Sequence, residues 1–249
     1  MMEQKISHIF SGKIWHTAFN NERCVLEIRN EATRQVSFSA LDLQQGKVLW
    51  ENYQPLKSWW LGLVGLFDEY IIIHQYSSEQ KPEPEGVLVI DVNSGTLVLN
   101  VADVCFHHYE NNQLTVVKNS LFQTIPLDVQ RQSNDSVVEI GKTLHESVQH
   151  YSEASPYFTT IFKFLYRLLG IEAQKAVDYL EISNKIIISY YIYRENLFHN
   201  YLLVTNREQK IILHEHIATT EGIGINTFTV QSDTLLYVKN ENEFIGYEL

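Results

Sequence analysis

Short apolar runs separated by polar turns fill most of the chain. CVLEIR, QVSFSALDL, EYIIIHQY, GVLVIDV, TLVLNV, QLTVVK, KIIISYYIY, NYLLV, KIILHEHI and TLLYVK are rich in Val, Ile, Leu and Tyr and have the length of strands. Many are apolar at consecutive positions, so both faces of these strands are expected to be covered, as when sheets stack face to face. One stretch has another period. Phe158, Ile161, Phe162, Leu165 and Leu169 recur at helical spacing behind Ser155-Pro156 and ahead of Gly170, which predicts one helix near 156–169. The class is all-β.

The strands repeat. Ala40 to Trp50 reads ALDLQQGKVLW and Val89 to Leu99 reads VIDVNSGTLVL: an apolar strand, an Asp, three residues, a Gly and a second apolar strand. The Asp side chain can bond the backbone of the turn and the Gly supplies positive φ, which describes a tight hairpin. Degenerate copies are read at Ile125 to Val129, Leu203 to Leu213 and Phe244 to Leu249. Taking Asp42, Asp91, Asp128, Thr205 and Glu248 as equivalent gives intervals of 49, 37, 77 and 43. The long interval holds the helix, inside an insertion of about 142–176 between the third and fourth copies. Each copy has room for four strands, which is the size of a propeller blade. The last copy stops one strand short, and residues 3–10 (EQKISHIF) have the composition of the missing strand. The expected architecture is a single domain over 1–249, a five-bladed β-propeller closed by the N-terminal strand.

The first copy resembles the repeat of the PQQ-like, quinoprotein-type β-propellers, A-x-D-x-x-T-G-x-x-x-W. Ala40, Asp42, Gly46 and Trp50 match, Gln45 replaces Thr, and Leu99 replaces the Trp in the second copy. The resemblance implies the fold. It implies no cofactor, because the residues that bind PQQ in that family have no counterpart here.

Charge narrows the functions. With 30 Asp and Glu against 19 Lys and Arg, the net charge is −11, which argues against binding nucleic acid or an anionic membrane surface. No run of about 20 apolar residues predicts a membrane span. The N-terminus shows no secretory pattern, so a cytoplasmic setting is expected. Cys24 and Cys105 are too few for a disulfide framework or structural zinc, and their apolar surroundings read as buried small hydrophobes.

No nucleotide, hydrolase or metalloprotease motif occurs. Cys105, His107 and Tyr109 are expected on one strand face, but a third metal ligand is missing, so no metal is assigned. His214 and His216 read as polar residues of an outer strand. Asp68, Asp103, Asp178 and Glu181 are the carboxylates to weigh for sugar hydrolysis, which needs a convergent pair. Trp59 and Trp60 open the second repeat on opposite sides of a strand, one as core and the other either packed between blades, which is favoured, or exposed as an aromatic surface for a sugar or a partner. His107 and His108, Trp59 and Trp60, and Phe158 and Phe162 of the helix are the candidate ligand or partner residues. The leading expectation is a non-enzymatic interaction or scaffold module with a protein partner and no cofactor. The alternative is a small-molecule or carbohydrate site, including a glycosidase-like enzyme, at a channel mouth.

Overall fold

The computed structural model describes residues 2–127 and 147–249; of these, 60% are strand, in five antiparallel sheets, and 6% helix. Strand β1 (Gln4–Ile9) opens the chain. The first sheet is β2 (Lys13–Phe19), β3 (Arg23–Asn30), β4 (Gln35–Asp42) and β5 (Lys47–Tyr53). The second is β6 (Leu61–Phe67), β7 (Tyr70–Gln75), β8 (Gly86–Asp91) and β9 (Leu97–Ala102), and the third is β10 (Cys105–Glu110), β11 (Gln113–Lys118) and β12 (Leu121–Pro126). The fourth contains β13 (Gln149–Ser152), then after helix α1 (Pro156–Leu169) come β14 (Ala176–Ile182), β15 (Lys185–Arg194), β16 (Leu197–Asn206) and β17 (Ile211–Thr220). The fifth is β18 (Phe228–Gln231), β19 (Thr234–Lys239) and β20 (Glu243–Glu248), with β1 as its outer strand. By its contacts the chain divides into two units, Ser11–Thr143 and Met1–Phe10 with Leu144–Leu249.

In the first unit the double-sided burial expected from the sequence is visible on β7. Ile71 and Ile73 pack with Val25, Phe38 and Ala40 of the first sheet, while Tyr70 and Ile72 face Leu114 and Val116 of the third. Period-two alternation thus feeds two cores from one strand. The repeat motif ties neighbouring sheets together. The Asp42 carboxylate accepts the Gln45 amide at 2.7 Å, and Asp91 accepts Ser94 at 2.7 Å. Gly46 and Gly95 take φ of 64° and 68°. Trp50 then reaches forward, donating Nε1–H to the Val92 carbonyl at 2.7 Å with its ring against Gly95, where an added Cβ would meet the indole at 3.0 Å.

Register corrects two of the equivalences. The amides of Leu43, Val92, Leu127 and Leu249 each bond the carbonyl just before the second strand of their sheet, at Glu22, Glu69, Asn112 and Asp233, all at 2.8 Å. That aligns Asp42, Asp91, Pro126 and Glu248, and Asp128 lies outside the described residues. In the fourth sheet Lys185 pairs with Asn206, so Asn206 and not Thr205 takes the Asp position. Its carboxamide accepts the Lys210 amide at 2.8 Å, and Gln209 carries the positive φ of 65°. An Asn in place of Asp and a hairpin one residue shorter hid the register.

In the second unit β1 pairs with β20 from Gln4↔Tyr247 to Ile9↔Glu243, the pairing expected of residues 3–10. Helix α1 has the expected limits, with the Ser155 hydroxyl accepting the Tyr157 amide and Gly170 at φ 68° closing the last turn. Its place differs from the expectation. The helix joins β13 to β14, which are consecutive and pair directly, so it lies in a connection within the fourth sheet and not in an insertion between the third and fourth copies. Residues 142–146 of the expected insertion lie outside the described residues. Phe158, Ile161 and Leu165 are buried against Val177, Ile188, Tyr190 and Leu203 of that sheet.

Buried and half-buried polar side chains latch successive sheets within each unit. Glu27 of β3 accepts the Leu63 amide at 2.7 Å, and His74, at the equivalent position of β7, accepts the Phe106 amide at Nε2, 3.1 Å away. Asp178 of β14 accepts the Thr227 amide and hydroxyl at 2.8 Å each, with His150 at 2.7 Å on its other oxygen. The acceptor nitrogen makes His74 neutral, and burial lowers its pKa below the usual 6.5. Its folded-state pKa therefore lies below that of the unfolded chain, so its contribution is complete above about pH 6.5 and is lost as pH falls through the folded value. Urea midpoints should fall between pH 7.5 and 5.5, and His74→Gln should flatten that slope. An unchanged slope in the variant would remove His74 as the cause.

Candidate functional site

The first unit carries a ladder of alternating Trp and Arg side chains. In β3, Arg29 follows buried Glu27 by two residues, so both side chains leave the same face. Arg29 Nε donates to Glu27 at 2.6 Å and Nη2 to the Leu61 carbonyl at 2.8 Å, which fixes the guanidinium plane. The guanidinium lies 5.2 Å from the ring centre of Trp15 and 4.9 Å from that of Trp59, and Arg34 lies 5.2 Å from Trp59. Each such contact is worth about 0.5–1 kcal/mol at an exposed site.

Local backbone devices present the two ends. Ile14 pairs with Ile28 and His16 with Glu27, leaving Trp15 as the extra residue of a β-bulge, a device that re-aims a side chain. Its indole is 64% exposed. His16 beside it bonds the Leu63 carbonyl through Nδ1 at 3.0 Å, so β2 is pinned to the second sheet just past the bulge. Arg34 sits at φ 53° in the β3–β4 turn, where the Asn30 carboxamide accepts the Thr33 amide at 3.1 Å. Nearby, burial first and the Glu27 charge second push the Tyr76 phenol above its usual pKa.

Of the candidate residues, only Trp59 belongs to this ladder. Trp59 and Trp60 precede β6, so strand alternation does not place them, and both are half-buried. Trp60 is held by its backbone, the amide donating to the Ser58 hydroxyl at 3.0 Å and the carbonyl accepting from Tyr76 at 2.9 Å. His107 is the extra residue of a bulge in β10, which breaks the shared face expected for Cys105, His107 and Tyr109. It is exposed, with its ring 4.7 Å from Phe122, while Cys105 faces the Pro84 carbonyl and Tyr109 donates to Asp68. His108 is exposed, 3.6 Å from Glu110. Phe158 and Phe162 belong to the second unit, the first buried and the second half-buried, stacked along α1. His214 is not a free edge residue: its Nε2 lies 2.7 Å from the hydroxyl of buried Tyr190.

The four carboxylates do not converge, and each has its own partner: Tyr109 for Asp68, Lys118 at 3.8 Å for Asp103, Thr227 and His150 for Asp178, and Tyr179 for Glu181. Asp68 and Asp103 adopt φ of 48° and 59° in turns, and Asp178 is the latch described above. Among the described residues no three His, Cys, Asp or Glu gather to hold a metal ion, and no helix is long and apolar enough to cross a membrane.

Sequence reasoning missed Trp15, Arg29 and Arg34. The alternation Lys13, Trp15, Thr17 was the available signal that the indole sits among polar neighbours, but the partner indole comes from the next sheet.

Comparison with known proteins adds little chemistry. A family model described as a domain of unknown function, DUF4905, matches residues 19–99, which include Arg29, Arg34 and Trp59 and both clear copies of the hairpin motif. No curated protein matches the chain. Among solved structures, a member of the DUF4221 family from Bacteroides vulgatus is 9% identical, with 98% of this chain and 95% of that chain covered and a TM-score of 0.21. The DNA polymerase III β chain of Streptococcus pneumoniae is 10% identical, with 91% and 56% covered and a TM-score of 0.14.

Proposed function

We propose that the five sheets are the blades of one β-propeller of the PQQ-like repeat type, closed by β1, and that it works as a non-enzymatic module binding a protein partner. The observation that carries the function is Trp15: a large exposed indole, displayed by a bulge and stacked on the Arg29 guanidinium. Isolated exposed apolar residues need no explanation, but one held by a cation ladder is preorganised for contact. Support also comes from Glu27 and Asp178, the buried carboxylates of the sheet junctions, which are engaged by backbone amides. Support for ring closure comes from the repeat register and the β1–β20 pairing.

The test is a thermal-shift panel of divalent metals, nucleotides and sugars, joined to a glycan array. A ligand present at a hundred times its dissociation constant would add about 2.7 kcal/mol of stability. The expected result is no reproducible stabilisation. Stabilisation by any sugar, nucleotide or metal would replace this reading with a small-molecule site.

A further inference from the structure

The chemistry of the partner can be narrowed from the ladder's unused groups. Among the described residues Arg34 makes no ion pair or hydrogen bond, its only contact of note being the Trp59 ring. The indole N–H groups of Trp15 and Trp59 and the Nη1 of Arg29 are likewise unpaired among the described residues, since Arg29 spends only Nε and Nη2. The acceptors that hold the ladder are already used: both oxygens of Glu27, by Arg29 and Leu63, and the carbonyls of Leu61 and Leu63, by Arg29 and His16. What the ladder has left to offer is therefore donors, one of them a free cation, beside an open indole face.

We infer that this ladder docks an acidic segment of a protein partner, a carboxylate pairing with the Arg34 fork and an aromatic side chain stacking on Trp15. The inference rests on the binding-module reading above. Arginine matches a carboxylate through two parallel N–H donors, and an aromatic ring offset over an exposed indole gains contact that a small side chain cannot. A basic segment would meet the free Arg34 charge instead. The chain's total of −11 does not reverse this at contact, because charges more than about 8 Å away are largely screened at physiological salt. The site is also built on rigid elements: Trp15 on a strand bulge pinned at His16, and Arg34 in a turn whose backbone is already constrained.

The probe is a blocked pentapeptide with a central Phe flanked by two Glu on each side, titrated against the intact protein at 0.15 M salt while Trp fluorescence is followed. Saturable binding is expected. Trp15→Ala should weaken it at least about tenfold with little change in melting temperature, and Arg34→Gln should weaken it by a similar factor. A Lys-flanked peptide should not compete. Three results would overturn the inference: no saturable binding, affinity unchanged in Trp15→Ala, or equal binding of the Lys-flanked peptide. The last would leave the binding-module reading standing with the wrong ligand chemistry. Displacement of fluorescence by a sugar or nucleotide in the thermal-shift panel would bring down both.

Discussion

Removing residues 1–10 should unfold the second unit. Strand β1 pairs with β20 along its length, the Phe10 amide bonds the Asn242 carbonyl at 2.8 Å, and Glu248 bonds Glu3 at 2.9 Å. Ile6 and Phe10 are each 3% exposed, and Gly246 lies so close to Ile6 that an added Cβ would meet it at 3.1 Å. Losing two buried large side chains costs about 2–5 kcal/mol apiece, comparable with the whole stability of an ordinary domain. The deletion also bares a full-length edge with Phe244 and Ile245 behind it, which invites aggregation. The truncated chain should show no cooperative melt for this unit and should self-associate. A midpoint within a degree or two of the full chain would show that β1 is dispensable.

The second large effect concerns α1. Phe158 is 7% exposed and Leu165 wholly buried, so the helix covers its own sheet, and its exposed large apolar residues are Tyr157 and Tyr166. Replacing both Phe158 and Phe162 with Ser removes one buried ring, one half-buried ring and the stacking between them. A loss of about 3–5 kcal/mol is expected from Phe158 alone, read as a fall in the urea midpoint. Sedimentation of the folded fraction should not change. An unaltered midpoint with lost self-association would instead make these residues a partner surface.

What could be read from the sequence was local. The caps of α1 are adjacent to the residues they serve, so its limits were legible to the residue. The Asp and Gly of the first two hairpins act within four residues of each other, through the Asp42–Gln45 and Asp91–Ser94 bonds, so the repeat was legible there. In the fourth copy the same turn is made by Asn206 with Gln209 in the strained position, and the signal faded. A bulge defeated alternation at His107, because one extra residue reverses the side a chain points to. The ladder was out of reach for a different reason. Its rungs come from β2, β3, a turn and the approach to β6, and only the stacking of two sheets brings them together. For the same reason, Trp50 could be recognised as part of a motif while its purpose, a bond to Val92 in the next sheet, could not.

Ring closure is the central claim of the proposed fold, and spin-label distances test it directly. Ala32, Ser120 and Asn240 are exposed in the turns between the second and third strands of the first, third and fifth sheets. With Cys24 and Cys105 replaced by Ser, nitroxides at 32 and 240, and separately at 32 and 120, report the spacing of the first sheet from the fifth and from the third. A closed five-membered ring makes the first and fifth sheets neighbours and the first and third next-nearest, so the 32–240 distance should be the shorter of the two. A 32–240 distance equal to or longer than 32–120 would contradict it.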